Sequence, residues 1–302
     1  MSDVNTQNNP RAAALSMIGA MAIIGTIDNF IAVIARDIGL WQFQILRAAL
    51  ALPMLWGAVL FGFGQMLPKN WMAVFVRSAL LATAMVFYFG ALAFLPISQA
   101  LAGLLTAPIF VVVITALFRG VSVGPTRYVA VIIGFAGTML VLDVSPMALE
   151  WTVIMPVIGG VFYALAAIVT RDYCQDESPI AMLAMLMVFQ MIIGAVALAV
   201  LVQMDPTVPA GRDGFLVRGW IWDLVQVWPF LLIQAAGSLI GVGLIIRAYQ
   251  QGEASYVAII EYCVFVFGPG AAWVMFGDTI TLIQGVGIVM IVAAGGLIVR
   301  RI

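Results

Sequence analysis

Ten predominantly apolar stretches follow one another along the chain: Ala12–Ala35, Phe43–Gly62, Met72–Phe94, Ser98–Phe118, Arg127–Leu142, Val153–Thr170, Pro179–Val202, Val225–Ala248, Ala254–Phe276 and Thr281–Val299. About 20 apolar residues let a helix cross the hydrocarbon core of a bilayer. The pattern therefore predicts an all-α integral membrane protein with ten transmembrane helices, the fifth of them short. The longest joint, Gln203–Leu224, is a loop too short to fold alone, and Trp220, Trp222 and Trp228 beside it have the character of an interfacial aromatic anchor. Residues 1–11 start polar and lack the basic, apolar and small-residue blocks of a signal peptide, so a short cytoplasmic tail is expected there.

Composition agrees. The 302 residues are 64% hydrophobic and 9% charged, where a soluble domain is closer to half apolar and a quarter charged. With the N-terminus inside, nine basic residues (Arg11, Lys69, Arg77, Arg119, Arg127, Arg171, Arg247, Arg300, Arg301) fall at cytoplasmic ends and four (Arg36, Arg47, Arg212, Arg218) on the other side. The positive-inside rule then puts both termini in the cytoplasm of a multi-pass protein of the cytoplasmic (inner) membrane. The basic residues are scattered, so no nucleic-acid partner is expected.

There is no histidine, which removes Ser-His-Asp and Cys-His catalysis and His-ligated metals. The two cysteines, Cys174 and Cys263, make no four-ligand metal site. No glycine-rich phosphate loop and no carboxylate cluster with divalent-ion spacing occurs. No cofactor, no metal and no enzymatic activity are expected.

The two halves match weakly but in order. Ile24–Asp37 lies over Gly159–Asp172, with Gly25 on Gly160 and Arg36-Asp37 on Arg171-Asp172. The stretch from Ala91 corresponds to that from Arg247, Thr106 is the position matched to Glu261, and "GFAGTMLVL" corresponds to "VAAGGLIVR". The spans divide five and five. Two odd-numbered copies joined directly enter the membrane in opposite orientations, a construction of secondary transporters. The expected units are the tail 1–11, a first five-helix repeat at 12–148 and a second, inverted one at 149–302.

The ten-span, five-plus-five layout, "ALAFLPISQALAGLLTAPIF" followed by "LFRGVSVGPTRYVAVIIGFAGTMLVL", and "GEASYVAIIEYCVF" followed by "FGD" resemble the EamA-type drug/metabolite transporter superfamily over nearly the whole chain. The resemblance implies a cavity lined mainly by spans one, three, four, six, eight and nine. One departure is visible: "FRGVS" has Arg119-Gly120-Val121 where family members commonly carry an acid after the glycine, whereas the second half has Asp278 in "FGD".

Polar residues inside apolar spans are functional candidates by default. Asp28 and Asn29 lie in the first span, Tyr88 in the third, Tyr163 in the sixth, Ser238 in the eighth, and Glu261 with Tyr262 in the ninth. Each has a structural alternative: hydrogen bonding between helices, or ordinary aromatic packing. Arg47, one turn inside the second span, either snorkels outward or pairs with an acid and fixes the bundle. Glu261 shares a helical face with Ala254, Ala258, Phe265 and Gly268 and is expected to look into the bundle. Gln99, Thr106, Gln190 and Gln234 line a cavity or bond across helices. Gly237, Gly241 and Gly243 form a small-residue face, and Pro53, Pro108, Pro156 and Pro269 kink their spans.

These residues fit a secondary carrier of small organic metabolites that works by alternating access in contact with membrane lipid, as a monomer or homodimer. The resemblance favours an exporter of amino acids or related amphipathic compounds, aromatic ones among them. A vitamin uptake carrier, such as a riboflavin transporter, is the alternative. A membrane enzyme acting on lipid, or a non-transporting membrane subunit, is the alternative of another class.

Overall fold

The computed structural model describes residues 9–119, 125–142, 151–277 and 279–299. Gly120-Val121, Asp278, Arg300, Arg301 and the boundary expected at 148/149 lie outside them. The described residues form thirteen α-helices: α1 Pro10–Ile27, α2 Asn29–Asp37, α3 Leu40–Leu60, α4 Trp71–Ala91, α5 Ile97–Leu104, α6 Ala107–Arg119, α7 Pro125–Leu142, α8 Trp151–Tyr173, α9 Pro179–Met204, α10 Trp228–Gln251, α11 Ala254–Ile260, α12 Val264–Phe276 and α13 Leu282–Val299. No strand occurs among them.

Among the described residues, seven segments are long and apolar enough to cross a membrane: Pro10–Asp37, Leu40–Leu60, Trp71–Ala91, Trp151–Tyr173, Pro179–Met204, Trp228–Gln251 and Tyr256–Phe276. Gln99–Thr115, Ile132–Val141 and Leu282–Ala294 are shorter apolar helices. Large apolar side chains such as Leu15, Trp56, Phe75, Val196, Ile240 and Val289 face outward. An outer surface of this kind is stable against lipid and not against water.

Local sequence sets the helix ends. Asn9 Oδ1 accepts from the Ala12 amide at 3.1 Å, with Pro10 at the first helical position of α1. Asn70 caps α4 the same way through Ala73, and the Glu177 carboxylate accepts from the Lys69 and Asn70 amides at 2.9 and 2.6 Å. An acid at a helix N-terminus also meets the positive end of the dipole. Gly277 closes α12 at φ 73°, a conformation that favours glycine.

The first, fourth and ninth apolar stretches, expected as continuous spans, are each interrupted. The first breaks at Asp28, between α1 and α2. The fourth breaks at Leu105-Thr106, where Pro108 has no amide hydrogen and its ring opposes the carbonyl four residues back. The ninth passes through one 3₁₀ turn, Glu261–Cys263, between α11 and α12.

The principal packings are α7 with α13, α3 with α9, α4 with α8, α1 with α10, α5 and α6 with α8, and α1 with α11 and α12. Exchanging the halves in chain order turns α4–α8 into α10–α1 and maps α7–α13 and α3–α9 onto themselves. Glycines permit the closest approaches. A Cβ on Gly137 would lie 2.7 Å from the Gly287 carbonyl, and one on Gly287 would lie 2.6 Å from that of Gly137. Gly237 and Gly241 receive the isoleucines of α1, Ile27 and Ile24. Gly243, expected on the same face, instead points to Leu183 of α9.

The Gln203–Leu224 joint contains a 3₁₀ turn, Gly211–Gly214, and packs on the α2–α3 corner. Arg218 donates to the carbonyls of Ala35, Ile38 and Gly211 at 2.9, 3.1 and 2.6 Å. Gln42 and the Ile221 backbone exchange two hydrogen bonds, 2.6 and 2.9 Å. Partial burial lowers the Arg218 pKa from its usual value, while Asp37 opposes that shift.

A Cβ on Gly25 would stand 2.8 Å from the Gly268 amide nitrogen, where α1 crosses α12. Forced repacking of this kind costs about 1–3 kcal/mol. Gly25→Ala is therefore expected to lower the Tm of the purified protein. Gly57→Ala in α3, with nothing within 4 Å, should leave Tm unchanged or raise it, as alanine favours a helix by up to ~1 kcal/mol. Equal Tm values for the two would mean that the crossing has slack.

Candidate functional site

One cavity of about 90 Å³ lies within the bundle. Its walls come from the first four apolar stretches and from the sixth to the ninth, and none of its lining residues belongs to α7 or α13. Met21, Ile24, Met85, Leu101 and Val264 make much of the surface apolar. Polar groups gather toward two ends, which are named here from the chain. On the tail side the Asn9 amide meets the Gln251 carbonyl, and Glu177 caps α4. On the loop side Arg218 grips the α2–α3 corner.

The loop-side cluster centres on Asp28, 6% exposed. Asp28 stays at the break because its neighbours satisfy the backbone. The Asn29 amide donates to the Gly25 carbonyl at 2.7 Å and to that of Gly268 at 3.2 Å, and the Gln234 amide donates to the Ile27 carbonyl at 2.7 Å. The Tyr88 hydroxyl donates to Asp28 Oδ2 at 2.9 Å. Arg47 is a Coulombic partner of Asp28. It is 3% exposed and does not snorkel outward. Its Nη2 donates to Gln190 Oε1 at 2.6 Å, and its guanidinium lies 5.0 and 4.8 Å from the ring centres of Phe43 and Phe89. Quadrupole attraction from the rings replaces part of the lost hydration.

The tail-side cluster centres on Glu261, 1% exposed. The hydroxyls of Tyr249 and Tyr163 donate to its Oε1 at 2.6 and 3.0 Å. The face expected for Glu261 is buried throughout, from Ala254 and Ala258 to Phe265 and Gly268. Arg77, counted from sequence at the cytoplasmic end of its span, is 2% exposed and lines the cavity. Its Nε donates to Thr170 Oγ1 at 3.2 Å.

The structure thus brings Asp28, Tyr88, Tyr163, Ser238, Glu261 and Arg47 to one cavity, together with Gln190 and Gln234. Asn29 is not in the lining; its amide ties α1 to α12. Tyr262 turns away, its hydroxyl beside Gly134 of α7. Thr106 donates to the Gly103 carbonyl at 2.7 Å and helps hold the α5–α6 break. Arg77 and Tyr249 were missed as site residues. The signal for Arg77 was available, a cation within "MAVFVRSALLATAMVF". Tyr249 lies in the polar last turn of α10 and has no comparable mark. No group of three or more His, Cys, Asp or Glu side chains among the described residues could hold a metal ion.

A multi-pass helical membrane protein with a central cavity, apolar in its walls and charged toward both ends, has the form of a solute carrier. The model of the EamA-like transporter family matches residues 11–143 and again 150–300, and the chain belongs to that family. It is a transporter and not an enzyme.

The chain is 28% identical over 228 residues to a riboflavin transporter of Rhizobium johnstonii, covering 74% of this chain and 69% of that protein. It is 26% identical to the pseudopaline exporter CntI of Pseudomonas aeruginosa, covering 71% of each. To an S-adenosylmethionine uptake transporter of Rickettsia bellii it is 24% identical, covering 67% of this chain and 64% of that protein. One solved crystal structure superposes with a TM-score of 0.66 at 16% identity over 96% of this chain and 97% of that one, a likeness of fold alone.

Removing one phenol hydroxyl tests the tail-side cluster. A hydrogen bond of this kind contributes about 1–3 kcal/mol. Tyr249→Phe, which loses the 2.6 Å bond, should lower thermal stability more than Tyr163→Phe, which loses the 3.0 Å one. Because both reach Oε1, the double variant should depart from additivity by roughly 0.5 kcal/mol or more. Strict additivity would mean that the two phenols act independently.

Proposed function

We propose that this transporter is a secondary carrier that moves small organic metabolites, amino acids or related amphipathic compounds, across the cytoplasmic membrane by alternating access. The observation that carries this reading is the central cavity, with Asp28 and Arg47 toward one end and Glu261 and Arg77 toward the other. Two inverted five-helix repeats, 12–148 and 149–302, form the moving parts. The packings support this division, since α4–α8 and α1–α10 exchange when the halves are swapped. At about 90 Å³ the cavity is smaller than the 300–1,000 Å³ usual for a drug-sized ligand, so it widens to load. Export is the direction we favour.

The second reading is a carrier of a flat vitamin such as a flavin. The rings of Tyr88, Phe89, Tyr163 and Tyr249 in the lining favour it, as does the name of the Rhizobium johnstonii relative.

Both termini are assigned to the cytoplasm. With the buried Arg77 and Arg47 set aside, the basic residues still divide eight to three between the sides. In a cysteine-free background, cysteines at Arg11 and Arg300 should label only from the cytoplasm, and one at Gly211 only from outside. Labelling of the two ends from opposite sides would overturn both the orientation and the five-plus-five count.

Glu261 is assigned to the transport pathway, where it meets a substrate amine or a coupling proton. Glu261→Gln is nearly isosteric and should insert and fold normally. In proteoliposomes loaded with a metabolite mixture and read by mass spectrometry, it should carry the wild-type solutes at least tenfold more slowly or lose the pH dependence of the wild type. Wild-type rates with an unchanged pH profile would leave Glu261 as a bond between helices.

A further inference from the structure

We propose that Gln250 is the latch of a gate on the tail side of the cavity: it holds the end of α10 against the turn between α8 and α9 while that side is closed, and releases it for the solute to pass. This rests on the carrier reading above and names the seam that opens.

Two bodies meet at this seam. α10 is fitted to α1, with Ile27 and Ile24 seated on Gly237 and Gly241. α8 is fitted to α4. A Cβ on Gly159 would lie 3.1 Å from the Ala84 carbonyl, and Glu177 in the α8–α9 turn accepts from the Lys69 and Asn70 amides at the start of α4. Helices packed this closely move together, and domain motions run along the joints between such units. Across the seam, Ile246 of α10 lies in one apolar cluster with Cys174, Ile180 and Leu183.

Three hydrogen bonds across the seam converge on Gln250. Its side-chain amide donates to the carbonyls of Cys174 and Glu177, each at 2.8 Å, and its own carbonyl accepts from Arg171 Nη1 at 2.8 Å. The two accepting carbonyls lie just past the end of α8, in a place where a helix leaves carbonyls without an internal partner. Gln250 is part-buried, so water can take over each bond as the seam opens. A hydrogen bond that water replaces is lost at a small fraction of its gross strength. The same helical turn reaches the site. Tyr249, one residue back, donates to Glu261 Oε1 at 2.6 Å in the cavity. A solute that takes the place of this phenol at Glu261 disturbs the turn that carries the latch.

The seam contains its own reporter. Cys174 and Cys263 are the two cysteines of the chain, and Cys174 is 0% exposed. Burial pushes its thiol up to about 11. A maleimide reacts with the thiolate, so labelling is slow while the seam is closed.

The test follows two thiols in purified full-length protein at neutral pH. Cys263→Ala leaves Cys174 alone. In a second background, with Cys174→Ala and Cys263→Ala, Ala167→Cys puts a thiol on the cavity wall, about two helical turns deeper in α8. Gln250→Glu keeps the shape of the side chain but sets an oxygen against the two carbonyls. It should raise the N-ethylmaleimide rate at least tenfold at both positions. Arg171→Leu, which removes the third bond, should raise both by a smaller factor. Loss of a mere helix cap would free Cys174 and leave the deeper thiol as slow as before. A rise at Cys174 alone, or unchanged rates at both positions in variants whose melting temperatures show them folded, would therefore overturn the proposal. With Gln250 intact, solutes that the protein carries should change the Cys174 rate at least threefold, and this arm does not depend on how the variants fold; an unchanged rate there also overturns it. Efflux of a metabolite mixture from wild-type proteoliposomes, read by mass spectrometry, separates the two readings. Flux with no response at the cysteines fails the latch and leaves the carrier; no flux of any solute fails both.

Discussion

A backbone carbonyl freed inside a bilayer finds no water, so some other group of the protein has to bond it. Much of the arrangement follows from that constraint. At the end of α1 the carbonyls of Gly25 and Ile27 are met by the side-chain amides of Asn29 and Gln234. Both amides come with consequences for the site. Asn29 also reaches Gly268 of α12, which fixes how closely the first and ninth stretches cross. Gln234 brings α10 against the Asp28 break. The polar residues that allow the helix to stop are thus the ones that draw three segments around the cavity.

The same constraint explains why the charged groups come in company. Asp28 and Glu261 each accept from tyrosine hydroxyls, and Arg47 is held by an amide oxygen and two rings. A phenol supplies a donor at the tip of a body that packs like any apolar ring, so it approaches a buried acid without adding another charge. Such an acid can keep its place in the fold while its hydrogen-bond partners change, provided each partner is replaced in turn.

The architecture was legible in the sequence because lipid imposes a simple rule on each span: apolar, about twenty residues, polar at the ends. The described residues are all-helical, with seven segments long and apolar enough to cross and three shorter apolar helices. Asp28, Tyr88, Tyr163, Ser238 and Glu261 were also recoverable, being polar positions in apolar runs. What escaped was contextual. Tyr262 stands inside an apolar stretch and Tyr249 just past the end of one, yet it is Tyr262 that faces α7 and Tyr249 that donates to Glu261. The breaks were hidden because apolarity does not report whether a hydrogen-bond ladder is continuous. Only Pro108 carried a local warning. Arg77 counted equally well as a charge at a membrane face, and its burial depends on α8 and on Thr170, far along the chain.

The loop between α9 and α10 has a mechanical consequence. Arg218 holds three carbonyls at once, two from the α2–α3 corner and one from its own loop. Gln42 and Trp41 at the start of α3 add bonds to Ile221 and Leu216. Loop and corner are therefore clamped into one piece. Lifting the loop away from the corner would strip the Arg218 guanidinium of its acceptors. Any motion at this end that keeps these bonds carries the loop, α2 and the start of α3 together.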